Sequence, residues 1–476
     1  MLPPDAATAD KMLPGAALPG GFCDHLTELL GPERFRRDGT SLEAYAWDNT
    51  GSRRVPGAVA LVENSQEVSA VLVAASRWGV PVTPRGAGSG NVGGCLPWRG
   101  GLVLGLQRLN RIVEIDAPNR VAVVEPGVVN ADLQRALAPH GLYWPPDPSS
   151  ARVATVGGNI AMCAAGPGAI RQGVTRDWVG GVTAALMDGR VIHTGGRTSK
   201  GVVGYDLTRL LVGSEGTLAV VTQAILRLAP RLEARRLCSA AFATVEAATL
   251  AVCDLMTQGD PPLAVEFLDA RCLELVRRQG VALPGQAGAM LLLEVGATSD
   301  ARAEGLMEDV TQRLARQAPL TLEVAADASR ARQVWAARYA LSPALKQLAP
   351  HRINEDVVVP VAALPRLIAG LEALSAHSGI PIVNFGHAGN GNIHVNLLVD
   401  PDDAALMSRV EPTLEALFRL VLDLQGTLSG EHGVGLAKKR FLSWELDPDT
   451  LALQRGIKAL FDPAGLLNPG KIFPEV

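Results

Sequence analysis

The chain has 476 residues, 47% hydrophobic and 19% charged, which is long enough for two cores and ordinary for a globular protein. A formal net charge of -4 and an aromatic content of 4% leave neither the basic field nor the stacking platforms that nucleic acid would need. The 6 cysteines are scattered without a C-x-x-C pair, which argues against a zinc ribbon, an iron–sulfur cluster or a disulfide framework and fits a reducing, cytoplasmic setting.

Residues 1–20 are rich in Pro, Ala and Gly, with Asp5, Asp10 and Lys11 breaking any apolar run, and read as a loose tail rather than a signal peptide. No stretch of about 20 apolar residues follows, so no transmembrane segment is expected. From residue 55 to 228, short β-branched runs alternate with Gly/Pro turns. Strands are predicted at 59–62, 80–83, 102–104, 121–124 and 218–222, and amphipathic helices at 65–78 and 129–140, the second closed by Gly141. After Pro230 longer helices alternate with strands. Leu364, Leu367, Ile368, Leu371 and Leu374 have helical spacing, with Gly379 to close the helix. Leu414, Leu417, Phe418 and Val421 mark another helix, starting near Pro412 and ending before Gly426. The expected organisation is a tail (1–20), a strand-rich domain (21–230), an α+β domain (231–425) and a loop-rich C-terminal segment (426–476).

The run Pro84-Arg85-Gly86-Ala87-Gly88-Ser89-Gly90-Asn91-Val92-Gly93-Gly94 follows a predicted strand. Its glycines let backbone N–H groups approach a pyrophosphate closely. Gly88, Gly90 and Gly93 match G-x-G-x-x-G, and Glu114 stands where a Rossmann acid would. A Rossmann loop must open a helix, however, and Pro97 and the Gly100-Gly101 pair prevent a long one here. The alternative for the loop alone is a structural glycine turn. Two further segments bear on that choice: Pro145-Pro146-Asp147-Pro148 followed by Thr155-Val156-Gly157-Gly158-Asn159, and Gly204-Tyr205-Asp206-Leu207 leading to Gly213-Ser214-Glu215-Gly216-Thr217.

In order and spacing these three motifs resemble the FAD-binding half of the vanillyl-alcohol oxidase/p-cresol methylhydroxylase superfamily. The resemblance implies an α+β fold: a two-part FAD-binding domain, an α+β substrate (cap) domain and a C-terminal segment returning to the flavin. It implies FAD contacts at Pro84, Arg85, Gly86, Ala87, Gly88, Ser89, Gly90, Gly94, Pro146, Thr155, Gly157, Gly158, Asn159, Gly213, Glu215, Gly216, Thr217 and Asn468. Relatives often have Asn-Ala-Gly-Gly where this chain has Cys163-Ala164-Ala165-Gly166, so altered flavin contacts are expected there. No residue stands out as an anchor for covalent flavin.

Further on, two apolar runs flank a Gly/Asn-rich turn between His387 and His394, which predicts a hairpin. The two histidines would face each other nearly directly, Cβ atoms about 5 Å apart, with His394 and Asn396 on one strand face. Paired imidazoles beside an Asn make half of a metal site, although a lone strand histidine is more often structural. Ser429-Gly430-Glu431-His432-Gly433-Val434-Gly435 adds Glu431 as a candidate oxygen ligand and His432 as a candidate base; by itself Glu431 reads more commonly as a solvated loop carboxylate.

These C-terminal motifs are similar to those of the D-lactate, D-2-hydroxyglutarate and glycolate dehydrogenase branch of the superfamily. The resemblance implies His387, His394 and Glu431 as ligands of a divalent metal (zinc first, with manganese, cobalt or iron as alternatives) and His432 as the base beside the flavin. Arg338 matches the arginine that holds the substrate carboxylate, and Asn396 joins the catalytic set. Asn354 stands where the 2-hydroxyglutarate enzymes carry a lysine, and Val395 where glycolate enzymes usually carry proline; both departures favour D-lactate or a similar monocarboxylate. The expected activity is FAD- and metal-dependent oxidation of a small D-2-hydroxy acid. Electrons pass to a quinone, a cytochrome or an electron-transfer flavoprotein, and a peripheral place at the inner face of the membrane is compatible with a quinone. A homodimer or partner subunits are both open. The rivals are a glycolate oxidase flavin subunit, a D-2-hydroxyglutarate dehydrogenase and a non-catalytic flavin-binding subunit of an electron-transfer complex.

Overall fold

The computed structural model describes residues 17–278, 285–345 and 348–475. The tail expected over residues 1–20 lies, up to residue 16, outside the described residues, and a helix already begins at Gly20. The chain forms two compact units. One runs to Ala165, resumes over Val174–Pro230 and takes up the chain again from Glu431; the other comprises Gly166–Gly173 and Arg231–Gly430. Together they give the mixed helix-and-sheet, α+β class read from the sequence.

In the first unit the helix Gly20–Leu30 repeats Phe22, Leu26 and Leu30 on one side, and these share a core with Val68, Val71, Leu72 and Ala75 of the helix Ser65–Trp78. The latter has the limits predicted for it. Asn64 caps it by accepting from the Glu67 N–H at 2.9 Å, and Gly79 closes it in the left-handed region. The Val80 N–H then donates to Ala75 at 2.8 Å, so the strand predicted at 80–83 starts later, as Val82–Arg85. It is parallel to Leu102–Gly105, which is parallel to Ala58–Leu61; Phe35–Arg36 completes a four-stranded sheet. Burial on both faces explains the unbroken apolar runs of the central strands.

A five-stranded antiparallel sheet of the same unit takes the order Ile112–Asp116, Val121–Val124, Val220–Arg227, Val179–Ala185, Val191–Gly195. The helix predicted at 129–140 is α-helical over Asn130–Leu137 and tightens to a 3-10 turn at Ala138–His140, where Pro139 withholds an N–H.

The second unit is built on a seven-stranded antiparallel sheet in the order Thr321–Val324, Ala234–Phe242, Ala289–Ala297, Ala264–Asp269, Ile382–His387, Asn392–Val399, His351–Val358. Leu268, Leu292, Val383 and Phe385 share a face and pack with Cys272, Leu273, Leu341 and Leu345 of the helices Ala270–Arg278 and Ala328–Leu345. Val265, Phe267, Leu291 and Leu293 point the other way and are equally buried. The helix Leu364–Ser378 buries Leu364, Leu367, Ile368 and Leu371 and ends at left-handed Gly379, as its spacing predicts.

One helix start is corrected. The helix predicted to begin near Pro412 spans Ala404–Asp423, with Pro412 inside it. Asp403 caps the true start by accepting from the Leu406 N–H at 2.9 Å. Pro412 is exposed, and the buried stripe of Val410, Leu414, Leu417 and Val421 carries the helix past the lost hydrogen bond.

Candidate flavin and metal site

In the first unit Val82–Arg85 delivers the chain into the glycine loop, and no helix follows between Gly86 and Gly101. Arg85 is buried beneath the loop, its Nη2 donating to the Trp47 carbonyl at 2.7 Å. Gly88 makes room for it: a Cβ there would stand 2.2 Å from Arg85 Nη2. At Gly86 a Cβ would come within 2.4 Å of Thr155 Oγ1. The loop lines a cleft with about 1410 Å³ of empty space, open mouth included. Of the expected FAD contacts, Pro84, Arg85, Gly86, Ala87, Gly88, Ser89, Gly90, Gly94, Thr155, Gly157, Gly158, Asn159, Glu215 and Gly216 line it.

The other expected contacts support that lining. The Pro146 carbonyl accepts from Asn130, the Gly213 N–H donates to Ile160, the Thr217 hydroxyl donates to Ser214, and Asn468 donates to the Gly94 and Glu215 carbonyls. Asn159 is 2% exposed, and among the described residues its Nδ2 has no hydrogen-bond partner. A buried donor on a cleft wall is costly unless an acceptor arrives, and a flavin supplies carbonyls and ribityl oxygens. The cleft therefore fits FAD. Glu114 has no part in it: the side chain sits on an edge strand and pairs with Arg197 at 2.7 Å.

Glu431 and His432 also line this cleft. The buried carboxylate of Glu215 fixes their loop by accepting from the Val434 N–H at 2.7 Å and the Gly435 N–H at 2.9 Å, while its burial raises its pKa. Gly435, at φ 51, admits no side chain, since a Cβ would lie 2.2 Å from the Val92 carbonyl oxygen. The Asn91 amide nitrogen stands 3.0 Å from His432 Nε2, and Asn49 donates to Asn91 Oδ1. So oriented, Asn91 donates to Nε2 and holds it as the acceptor nitrogen.

The hairpin of the second unit is offset from the prediction. His394 pairs with Phe385, and His387 pairs across to Glu266, so the two histidines are diagonal rather than opposite. The 3-10 turn Ala388–Asn390 takes up the missing pairs. Diagonal side chains still meet, and the imidazole centroids lie 5.1 Å apart. Both histidines are buried.

Glu266, fully buried, is hydrogen-bonded through Oε1 to His387 Nδ1, and Arg338 Nε and Nη2 each stand 2.7 Å from Oε2. Burial alone would raise this carboxyl; His387 and Arg338 outweigh it and hold its pKa at about 2. Asp356 Oδ1 lies 3.6 Å from His394 Nδ1, and Asp356 also accepts from Asn392 at 2.6 Å and from the Gly430 N–H at 2.9 Å. Asn396, expected among the catalytic groups, lies on the same sheet face as the two histidines and is braced there. Its amide donates to the Val383 and His394 carbonyls and its oxygen accepts from Asn354, so its polar atoms are engaged within the sheet. Arg352 lies on the same strand face as Asn354, one pleat repeat further along, with its pKa lowered by burial.

A family model described as FAD linked oxidases, C-terminal domain, matches residues 231–472, and one described as FAD binding domain matches residues 56–195. The chain belongs to the FAD-linked oxidase family. The glycolate oxidase subunit GlcD of Bacillus subtilis is 37% identical to it, over 95% of this chain and 96% of that one. A D-lactate dehydrogenase of Archaeoglobus fulgidus is 35% identical, over 90% and 95%. The structure of p-cresol methylhydroxylase with substrate bound superposes with a TM-score of 0.81 at 15% identity, covering 97% of this chain and 98% of that one, and so shares the fold.

Sequence reasoning about this FAD-linked oxidase missed Glu266, Asp356 and Asn91. Glu266 left a signal, as a lone carboxylate within the apolar run Ala264-Val265-Glu266-Phe267-Leu268. Asn91 lay inside the glycine loop but had no visible partner, because His432 is 341 residues away. No described helix is long and apolar enough to cross a membrane.

Proposed function

We propose that this flavoprotein is an FAD- and divalent-metal-dependent dehydrogenase of small D-2-hydroxy acids, preferring D-lactate, which it converts to pyruvate, and using a non-nicotinamide electron acceptor. The observation that carries the reading is the buried pair His387 and His394 on a sheet face shared with Glu266 and reached by Arg338, in a chain whose flavin cleft is lined by Glu431 and His432. Glutamate on Nδ1 of His387 leaves Nε2 as the nitrogen a metal would take. With Glu431 as the third ligand that the family resemblance implies, the two imidazoles would make a donor set suited to catalytic zinc; manganese, cobalt or iron also suit it. Relatives described as glycolate oxidase subunits and D-lactate dehydrogenases support the substrate class.

When bound, FAD would accept the hydride equivalent from the carbinol carbon, and the metal would lower the pKa of the substrate hydroxyl. His432 then receives the hydroxyl proton at Nε2, in place of the Asn91 amide hydrogen. Arg338 holds the substrate carboxylate through the guanidinium edge not engaged with Glu266. Asn354, neutral and bonded to Asn396 at 2.8 Å, puts no cation at that position for a second carboxylate, which suits a short monocarboxylate. Glycolate is the second reading, favoured by the 37% identity to a glycolate oxidase subunit.

Anaerobic flavin bleaching with D-lactate, L-lactate, glycolate and D-2-hydroxyglutarate tests the proposal. D-selective bleaching that stops with a chelator and returns with a divalent metal is expected. Faster bleaching by glycolate would establish the second reading. A yellow protein reduced by none of the four would point to a partner-dependent or non-catalytic subunit.

A further inference from the structure

We infer that Glu266 is a positioning residue that couples metal binding to substrate binding, with one carboxylate oxygen setting the tautomer of His387 and the other aiming Arg338. The inference rests on the reading of His387 as a metal ligand and Arg338 as the holder of the substrate carboxylate.

Glu266 sits on Ala264–Asp269, inside the seven-stranded sheet, between apolar neighbours and with no exposed surface. Packing gives no reason for a carboxylate there, so its partners must account for it. The register brings it level with His387 on the adjoining strand. The stripe of Val334, Leu341 and Leu345 seats Arg338 against the sheet from the other direction, its guanidinium 4.6 Å from the centre of the Phe385 ring. Oε1 takes His387 Nδ1, while Oε2 takes both Nε and Nη2 of Arg338 at 2.7 Å.

Arg338 can only donate, and it directs two N–H groups at Oε2; a carboxyl held that way is left to accept at Oε1, which places the hydrogen on Nδ1 of His387. In the neutral ring the lone pair then lies on Nε2, the state a metal requires. The two bonds to Oε2 fix the plane of the guanidinium and turn its Nη1/Nη2 edge away from Glu266, ready for a carboxylate end-on. A group that merely neutralised a buried arginine would need no bond to the histidine. A group that merely oriented the histidine would need no arginine. Because the oxygens share one rigid plane, rotating it for one partner disturbs the other.

Glu266→Gln keeps the shape and removes the symmetry. If the amide NH2 faces His387, Nδ1 has to accept and the ring hydrogen moves to Nε2, where the metal would bind. If it faces Arg338, donors meet donors and the guanidinium turns away. Zinc affinity of the FAD-loaded protein, read by competition with a chromophoric chelator, should fall about 10–100-fold in the variant. With zinc saturating, KM for D-lactate should rise at least about tenfold, with kcat less affected. Zinc affinity and KM both equal to those of the unaltered protein would overturn the inference.

Should the variant fail to fold, nitrogen-15 histidine spectra of the unaltered, FAD-loaded, metal-free protein decide the matter. His387, assigned by the signal lost in His387→Gln, is expected as the Nδ1–H tautomer, and an Nε2–H tautomer would overturn the proposal. An unaltered protein that takes up no zinc would instead bring down the functional reading beneath it, an outcome visible before any variant is made.

Discussion

His432 has its Nε2 at the Asn91 amide, on a loop that Glu215 pins through the backbone N–H groups of Val434 and Gly435 rather than through the imidazole. His432→Ala should therefore leave FAD and metal bound and slow flavin reduction by about 10²–10⁴-fold, the usual weight of a positioned base. Stopped-flow reduction checks this, and unchanged rates would remove His432 from the mechanism. Asp269 behaves differently. Burial lifts its pKa to about 6, although it accepts from the Cys272 and Asn384 N–H groups. The unfolded chain loses that proton near pH 4, so folding takes up a proton between about pH 4 and 6, and stability declines as pH rises through that window. Relative to Asp269→Asn, which cannot ionise, the wild type should lose up to about 3 kcal/mol across it. Urea unfolding of both proteins at several pH values measures the gap, and a constant gap would refute the shift. At this scale the sequence made residues with their own motifs legible, such as the histidines, Glu431 and the glycines. It hid Glu266 and Asp356, whose chemistry exists only through strand partners brought level by the register.

Spacing and closing glycines made most helix limits legible, because Gly141 and Gly379 act through bonds within a few residues. Two element features were not local and were misread. Pro412 looked like a start, but the apolar stripe preceding it continues the helix. The histidine hairpin looked symmetric, but the 3-10 turn at Ala388–Asn390 shifts the pairing to a diagonal. The short helix Val156–Met162 beside the cleft carries a separate cost. It ends at Cys163 with φ 51, a left-handed conformation that a Cys adopts reluctantly. Asn tolerates that conformation, because its short polar side chain can hydrogen-bond locally. Cys163→Asn should accordingly raise stability by about 0.5–1 kcal/mol, seen as a higher Tm without loss of FAD. A lower Tm would mean that packing of the thiol outweighs the backbone strain.

Across the molecule, the order of the glycine motifs and the late histidine motifs identified the fold class, but not how often the chain leaves and re-enters each unit. The flavin unit is drawn from separate stretches of sequence, and its cleft is lined from several of them. A cofactor gripped in this way should act as a stabilising ligand. At a free FAD concentration a hundred times its Kd the unit should gain about 2.7 kcal/mol, so apoprotein prepared by removing FAD should melt lower and recover on reconstitution. An identical Tm with and without FAD would count against the cleft as its seat. The binding wall is also finished late. Asn468 ties down the Gly94 and Glu215 carbonyls, and Lys471 the Leu96 carbonyl, so the glycine loop is braced by residues hundreds of positions later in the sequence. On a ribosome the glycine loop emerges hundreds of residues before those braces are made. The nascent protein therefore holds an unbraced glycine loop until residues 468 and 471 have been made, and the cleft wall is complete only once they join it.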